Sequence, residues 1–250
     1  MVKRSNYLTR AYRVVRMLVH LIYAIAVIML LYRWMPHRLR SRIERRWSKG
    51  FLKILNIQVK VQGVIPDLYT QNIMLVANHI SWLDVYLLSA VRPARFVSKA
   101  EVRAWPVIGW LAHKTGTLFI DRTKRHDTAR INDEISSVLS KGGCLAVFPE
   151  GTTSEGGRIR PFHASLLQPA IHSQSHLWPA AIRYCHADGS MNTAPAYVNE
   201  LSFADSLWLV LGQHIIYAEL EFMSPIPAHG KTRRELAKET ETIIAGALKL

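Results

Sequence analysis

The sequence predicts an α/β protein whose mixed, mainly parallel sheet is flanked by helices and preceded by an N-terminal membrane-associated helical segment. From residue 73 onward, short apolar runs alternate with longer segments of helical periodicity, which is typical of strands buried on both faces of a sheet. Near the N-terminus, residues 17–32 are apolar except for His20 and stand between arginine-rich flanks. We find no internal repeat and no low-complexity linker in the 250 residues.

The N-terminal segment carries most of the positive charge. Residues 1–53 contain thirteen Lys and Arg against one acid, Glu44, in a chain of net charge +14. Nucleic-acid-binding arms rarely include so apolar a run, so this charge indicates anionic lipid as partner and argues against nucleic acid. Because a spanning helix needs about 20 apolar residues, we expect the run at 17–32 to dip into one leaflet rather than to cross the bilayer.

A second candidate helix follows Pro36. Leu39, Ile43, Trp47 and Phe51 recur every four residues, and arginines occupy the other face. This pattern is typical of an interfacial amphipathic helix, with a helix docked on its own domain as the alternative. Residues 1–55 are therefore interpreted as membrane-anchoring helices and residues 56–250 as the α/β domain.

The elements of the α/β domain follow from local pattern. Runs rich in Val, Ile, Leu and Phe predict strands, and apolar residues spaced by three and four predict helices. Strands are predicted at residues 73–77, 95–98, 117–121, 144–148, 177–182 and 214–222. Helices are predicted at residues 83–91, 106–113, 126–140, 162–171 and 231–250.

Two polar segments follow predicted strands. Residues 78–84 (NHISWLD) contain His79 and Asp84, five positions apart, which predicts a general base and the carboxylate that orients it. Residues 148–154 (FPEGTTS) predict a tight turn whose backbone N–H groups can face an oxyanion or phosphate. Since ligands of α/β sheets bind outside the carboxyl ends of strands, we expect the two segments at one edge.

Other kinds of site have less support. The His–Asp pair taken alone is weak evidence for a catalytic base. A histidine near a helix start is often only a capping residue or a polar residue whose hydrogen bonds are satisfied. Neither segment supplies a set of metal ligands, and the G-x-S-x-G of a serine hydrolase is absent. Cys144 and Cys185 stand alone, which indicates buried thiols in a reducing compartment.

Four blocks in order resemble the glycerophospholipid acyltransferase family, whose members include 1-acylglycerol-3-phosphate acyltransferases. The first is residues 78–84, and the second is Gly116 followed by residues 119–122 (FIDR). The third is residues 148–152 (FPEGT), and the fourth is residues 177–182 (LWPAAI). The resemblance covers about residues 70–185, and the ordered set is far more specific than any single block.

The resemblance implies a role for each motif residue. His79 would take the proton from a lysolipid hydroxyl, Asp84 would orient it, and the hydroxyl would attack the thioester of acyl-CoA or acyl carrier protein. Arg122 would bind the acceptor phosphate. The other residues expected to bind substrate are Asn78, Lys99, Glu150, Gly151, Thr152, Thr153 and Arg158. No metal and no cofactor beyond the acyl co-substrate is implied, and the enzyme would work at the cytoplasmic face of a membrane, the inner membrane of a bacterium.

One position departs from the family pattern. Members that form phosphatidic acid usually have arginine where this chain has Thr153, and that arginine helps to hold the acceptor phosphate. Threonine carries no charge, so phosphate affinity would fall unless Arg158 or Arg160 substitutes. Lysophosphatidic acid is the expected acceptor, and lyso-ornithine lipid or another lysolipid is the alternative. A different class, a non-catalytic protein that binds membrane surfaces or nucleic acid, would not need an intact His79 and Asp84.

Overall fold

The computed structural model describes residues 4–121, 125–198 and 201–250. Within them the chain forms eight α-helices and eight strands. The helices are α1 (Tyr7–Leu30), α2 (His37–Ile54), α3 (Leu83–Val91), α4 (Ile108–Lys114), α5 (Arg125–Ser140), α6 (Gln168–His172), α7 (Phe203–Gly212) and α8 (Arg233–Leu248). The strands are β1 (Ile57–Gly63), β2 (Ile73–Ala77), β3 (Arg95–Lys99), β4 (Leu118–Ile120), β5 (Cys144–Val147), β6 (His176–Cys185), β7 (Ile216–Phe222) and β8 (Ile226–Pro227).

The strands form one mixed sheet in the order β1-β7-β6-β2-β5-β3-β4, with β8 paired to β6. Strands β6, β2, β5, β3 and β4 run parallel to their neighbours, whereas β7 and β8 are antiparallel to β6. Strand β1 is parallel to β7. This arrangement confirms the predicted mixed, mainly parallel sheet.

The central strands are apolar throughout because both of their faces are covered. In β2, Leu75 belongs to a core on the side of α2 and α3, while Met74 and Val76 belong to a core on the side of α5 and α8. In β5, Ala146 and Leu145 divide between the same two cores. Successive strand residues point to opposite faces, so a strand covered on both sides reads as an unbroken apolar run.

The predicted boundaries of β2 and α3 agree with the structure. Two predicted helices, at residues 162–171 and 231–250, have different boundaries because of the residues at their N-termini. The C-terminal helix begins only at Arg233, because Thr232 and Glu235 form a reciprocal capping box. The predicted helix at 162–171 divides into a 3₁₀ turn and α6, which carries Pro169 in its first turn. A proline fits there because the first N–H groups of a helix need no intrahelical partner.

Three of the strands and α-helices were not predicted from sequence: the two-residue strand β8 and the longer β1 and α7. Strand β1 alternates apolar and polar residues, as expected for the edge of a sheet, and therefore lacks the continuous apolar run by which the other strands were identified. Helix α7 is preceded by its N-cap residue Ser202, whose hydroxyl accepts from the Asp205 N–H at 3.1 Å. A Ser-x-x-Asp sequence before an apolar run is a recognisable start signal for this helix.

Helix α1 is longer than the apolar run suggested. It begins after Asn6, whose side chain accepts a hydrogen bond from the Thr9 N–H at 2.8 Å. By length and composition it is the one helix among the described residues that could cross a membrane. Most of its apolar side chains are exposed, including Val19 and Ile22, which are 61% and 64% accessible.

Helix α2 is docked on the α/β domain. Phe51 is buried, and its ring lies 4.5 Å from that of Tyr86 in α3 and 5.5 Å from that of Trp47. These contacts differ from the interpretation that Trp47 and Phe51 enter a membrane, and they favour the alternative of a helix packed on its own domain. The apolar stripe alone could not decide, because a membrane and a protein core select the same periodicity. The domain boundary at residue 55 stays a prediction.

Both cysteines are free and buried, as predicted. Cys144 lies in β5, where complete burial raises the pKa of its thiol to about 11. Cys185 ends β6. The two thiols therefore behave as small core side chains.

Candidate active site

The two polar segments identified in the sequence lie at the same edge of the sheet. Residues 78–84 follow β2 and residues 148–154 follow β5, and these two strands are adjacent and parallel. Their carboxyl ends therefore meet, as expected for a ligand site in an α/β sheet. Lys99, at the end of β3, is exposed on this edge as well.

The centre of the site is a histidine paired with a buried carboxylate. Nδ1 of His79 lies 2.8 Å from Oδ2 of Asp84. The Asp84 side chain is fully buried, whereas 20% of the His79 side chain is exposed. A carboxylate next to Nδ1 favours the tautomer that keeps the proton there, which leaves Nε2 as the basic nitrogen. Nε2 makes no hydrogen bond to any described residue.

The Asp84 carboxylate accepts three further hydrogen bonds. The N–H groups of Ile80 and Ser81 donate to Oδ2 at 2.7 and 2.9 Å, and the Tyr184 hydroxyl donates to Oδ1 at 2.7 Å. A buried carboxylate needs such donors to remain ionised. With both oxygens occupied, the carboxylate cannot rotate without losing bonds, so it holds the imidazole in one orientation.

Tyr184 is a site residue that the sequence did not reveal. It lies in β6, two strand positions beyond the fourth family block, and only 1% of it is exposed. Burial, together with the Asp84 charge, raises the pKa of Tyr184 well above its ordinary value, so the phenol stays a neutral donor. A tyrosine within an otherwise apolar buried strand indicates a nearby hydrogen-bond acceptor, since a buried hydroxyl usually has a hydrogen-bond partner.

Asn78 connects the catalytic segment to the sheet. Its side-chain Nδ2 donates to the Ile182 carbonyl at 2.9 Å, and its Oδ1 accepts from the Ile182 N–H at 2.7 Å. The side-chain amide thus continues the β2–β6 pairing by one step after β2 ends. Only 2% of Asn78 is exposed, so this residue fixes the base of the turn that carries His79.

Ring stacking also orients His79. The imidazole lies over the ring of Phe148, with centroids 4.0 Å apart and planes at 10°. Phe148 follows β5 and lies beside Phe96, 6.2 Å away between centroids. The two aromatic residues therefore support the ring face of the base while its edge contacts the carboxylate.

Glu150 is a buried brace between the two segments. Its Oε1 accepts from the His79 N–H at 2.7 Å, and its Oε2 accepts from the Arg160 N–H at 2.9 Å. Burial raises the pKa of Glu150, and the two backbone donors oppose that shift. Glu150 is one of the residues expected to bind substrate, and in the structure both of its carboxylate oxygens accept from backbone N–H groups.

The turn after Glu150 is closed by its own hydrogen bonds. The Gly151 N–H donates to the Phe148 carbonyl at 3.1 Å, and Gly151 has a φ of 74°, a conformation that favours glycine. The Ser154 N–H donates to the His79 carbonyl at 2.8 Å. Of the backbone N–H groups of residues 148–154 that the sequence predicts to face an oxyanion, the Gly151 N–H closes the turn and the Ser154 N–H joins it to the segment that carries His79.

The Thr153 hydroxyl donates to the carbonyl of Tyr197. This contact matters because Thr153 replaces the arginine usual in members that form phosphatidic acid. The hydroxyl hydrogen is already committed to the backbone, so Thr153 does not offer it to an acceptor phosphate. Thr152 is half-buried in the same turn.

The predicted phosphate-binding arginines have different outcomes. Arg158 is exposed four residues beyond the turn, and the Arg160 side chain is exposed beside it. Arg122 lies outside the described residues. Within the part of the chain that is described, no group of three His, Cys, Asp or Glu side chains is arranged to hold a metal ion.

Fold and site together place a His–Asp pair at the carboxyl edge of an α/β sheet, an arrangement that can supply a general base. The Acyltransferase family model matches residues 56–183, a range that includes all four blocks. The chain belongs to this acyltransferase family.

Similar proteins agree with this membership. The chain is 38% identical over 210 residues to a lyso-ornithine lipid O-acyltransferase of Pseudomonas aeruginosa, covering 84% of this chain and 80% of that protein. It is 33% identical over 184 residues to a 1-acyl-sn-glycerol-3-phosphate acyltransferase of Neisseria gonorrhoeae, covering 74% and 71%. The fold is similar to the crystal structure of the 1-acyl-sn-glycerophosphate acyltransferase PlsC of Thermotoga maritima, with a TM-score of 0.75 and 21% identity over 98% of this chain and 95% of that chain.

Proposed function

We propose that this acyltransferase moves a fatty acyl group from acyl-CoA or acyl carrier protein to the free hydroxyl of a lysolipid in a membrane. The observation that carries the proposal is the 2.8 Å contact between His79 and the fully buried Asp84. A surface-binding protein has no need for a histidine paired with a carboxylate buried under four donors, because burying so polar a group costs free energy. The pair therefore favours catalysis over a purely binding role.

The chemistry follows from the tautomer of the base. Nε2 of His79 accepts the hydroxyl proton as the lysolipid oxygen attacks the thioester carbonyl, and the Asp84 carboxylate stabilises the imidazolium that forms. The tetrahedral intermediate then expels the thiolate, which takes the proton back from His79. The new ester carries the acyl group, and no acyl-enzyme forms, since the thioester is already activated.

Lysophosphatidic acid is the acceptor that we propose first. The N. gonorrhoeae relative is named for 1-acyl-sn-glycerol-3-phosphate, and the exposed Arg158 and Arg160 can supply charge to a phosphate. Lyso-ornithine lipid is the second candidate. Two observations favour it: Thr153 lacks the charge and already donates its hydroxyl to Tyr197, and the P. aeruginosa relative is named for that lipid.

A parallel assay distinguishes the acceptors. Purified full-length enzyme in mixed micelles receives labelled acyl-CoA, or labelled acyl carrier protein, with lysophosphatidic acid, lyso-ornithine lipid or lysophosphatidylcholine. The first proposal requires lysophosphatidic acid to give the highest kcat/KM. A higher value with lyso-ornithine lipid would select the second candidate, and absence of transfer to all three would refute lysolipid acylation.

The enzyme is proposed to lie on the cytoplasmic face of a bacterial inner membrane, with α1 dipping into one leaflet. Helix α1 is held lengthwise: the Arg13 guanidinium donates to the Gln213 carbonyl at 2.7 Å, and the Trp47 indole N–H donates to the His20 carbonyl at 3.1 Å. From Arg13 to His20, about two helical turns, one side of α1 lies against the rest of the protein. This part of the helix therefore cannot be surrounded by lipid as a spanning helix would be. Its outer apolar face, which includes Ile22, remains free to enter lipid.

Substitutions on this outer face test the membrane proposal. Val19→Asp with Ile22→Asp should release the chain from vesicles of phosphatidylethanolamine and phosphatidylglycerol, since charged side chains are costly in lipid. Both positions are exposed, so folding should persist. Cosedimentation measures the loss, and the matched control is Val19→Leu with Ile22→Leu. Unchanged sedimentation of the aspartate variant would contradict this role of α1.

A further inference from the structure

Helix α7 presents an apolar face that the catalytic chemistry does not use. Trp208 and Leu209 are each 46% exposed, although the neighbouring Val210 and Leu211 are buried in the core. The only charged residue of α7 is Asp205, in its first turn, where the carboxylate accepts from the Ser202 hydroxyl at 2.6 Å. Two adjacent, large and exposed apolar side chains on such a helix form an apolar patch of the kind that marks an interaction site.

This face is joined to the N-terminus of α1. The Ser5 N–H donates to the Gly212 carbonyl at 2.9 Å, at the end of α7. The buried Arg13 guanidinium donates to the carbonyls of Leu211 and Gln213 at 3.0 and 2.7 Å. An arginine that satisfies the last carbonyls of a helix fixes the two elements together, so α1 and α7 share one surface.

Aromatic and cationic side chains lie where α1 meets α7. The rings of Tyr7 and Trp208 are 6.4 Å apart, and the Arg10 guanidinium lies 4.8 Å above the Trp208 ring and 5.7 Å from that of Tyr7. Tyrosine and tryptophan concentrate at membrane–water interfaces, where one end of the side chain is apolar and the other is wet. Arginine there meets anionic headgroups.

We infer that α7 makes a second contact with the bilayer through Trp208 and Leu209, continuous with the apolar face of α1. The inference rests on the proposed function, in which α1 enters one leaflet. The occupant is lipid rather than another protein because the patch extends the α1 surface and has the composition of an interfacial belt.

The opposite end of α7 reaches the catalytic segment. The Phe203 ring lies 5.2 Å from that of Trp82 and 5.4 Å from that of Trp105, and the Trp82 indole N–H donates to Ser206 Oγ at 3.0 Å. Trp82 lies between His79 and Asp84 in the chain. Contact of α7 with lipid therefore brings the mouth of the site to the level of the membrane surface, where a lysolipid can reach His79 without leaving its leaflet.

A site-directed probe tests the contact. Leu209→Cys in the full chain is labelled with a small environment-sensitive fluorophore, and Val64→Cys is the matched control. Val64 is 47% exposed and directly follows β1, which is an edge strand of the sheet. Strands β7 and β6 separate β1 from β2, the strand that leads to His79. Cys144 and Cys185 are buried, so labelling is selective. Both proteins are reconstituted in vesicles of phosphatidylethanolamine and phosphatidylglycerol.

The expected result is opposite quenching at the two positions. Nitroxide-bearing lipid chains should quench the label at position 209 about threefold or more over that at position 64, and aqueous iodide should do the reverse. Iodide quenching at position 209 without lipid quenching would overturn the inference. Quenching by neither agent would overturn it too, because the face would then lie against a second copy of the chain.

The readout does not depend on turnover, which separates this inference from the catalytic proposal. Failure of the acceptor assay with lipid quenching at position 209 would remove the proposed reaction and leave the contact. A Trp208→Ser, Leu209→Ser variant should also lose about tenfold in vesicle partitioning, since burial of large apolar side chains contributes that much. Val64→Ser with Ile65→Ser, of equal exposure, should lose nothing.

Discussion

The turn after β2 and the segment after β5 meet at one sheet edge but are built differently. In residues 78–84, the Asp84 carboxylate is fully buried and accepts four hydrogen bonds. In residues 155–160, both arginine side chains and Glu155 are exposed to solvent. Glu150 connects the two, because its carboxylate binds the backbone of His79 and of Arg160.

This difference separates the reaction from the choice of acceptor. A proton transfer needs its base within a fraction of an ångström of one position, which a buried hydrogen-bonded turn provides. Recognition of a headgroup at a membrane surface can rely on exposed charges, each of which contributes little binding free energy alone. The comparison therefore predicts large effects for substitutions in the first region and small ones in the second.

His79→Ala should have the largest effect. Loss of the general base should lower kcat for acyl transfer by about 10³-fold or more, with vesicle binding unchanged. Initial rates and cosedimentation measure the two quantities. His229→Ala removes an exposed histidine and should leave both unchanged. Normal turnover by His79→Ala would end the assignment of the base.

Glu150→Gln should disturb both regions together. The amide can accept from one backbone N–H but presents its NH₂ to the other, so one buried donor loses its partner at a cost of about 1–3 kcal/mol. Displacement of the His79 backbone should lower kcat roughly ten- to hundredfold. Thermal unfolding and initial rates measure both effects. Glu155→Gln, at an exposed position, should be silent; equal effects of the two variants would contradict the bracing role.

Tyr184→Phe should lower kcat about five- to tenfold with little change in KM, because Asp84 loses one of four donors. Loss of this bond frees Oδ1, so the carboxylate can rotate and holds the imidazole in its orientation less firmly. Initial rates at varied acceptor concentration separate kcat from KM. An effect on thermal unfolding with an unchanged kcat would contradict the positioning role. Tyr217→Phe, in the neighbouring strand β7, is the control.

Thr153→Arg should have the smallest effect, on acceptor preference. An added charge near the site should raise the ratio of kcat/KM for lysophosphatidic acid over lyso-ornithine lipid about threefold, since an exposed ion pair contributes little. Thr153→Met adds length without charge and should leave the ratio unchanged. If both variants changed the ratio equally, loss of the bond to Tyr197 rather than charge would be the cause.

Much of the fold could be predicted from local pattern. The boundaries of β2 and α3 agree with the structure because one is a continuous apolar run and the other starts at a polar turn. Strand β1 was missed because it alternates apolar and polar residues, whereas helix α7 was missed although a Ser-x-x-Asp start signal and an apolar run mark it. For α2, periodicity identified the buried face, but only the contact of Phe51 with Tyr86 identified what covers it.

The reaction class can be predicted from the chain alone, because His79, Asp84 and the ordered blocks are local patterns. The tertiary structure sets what each polar atom contacts. It brought Tyr184 to Asp84 across 100 residues and joined Thr153 to Tyr197 across 44. Such contacts depend on which strands pair and how a loop returns, and no local pattern encodes them. The spacing and order of the motifs therefore predict the reaction class, whereas the contacts that hold His79 and Asp84 arise only on folding.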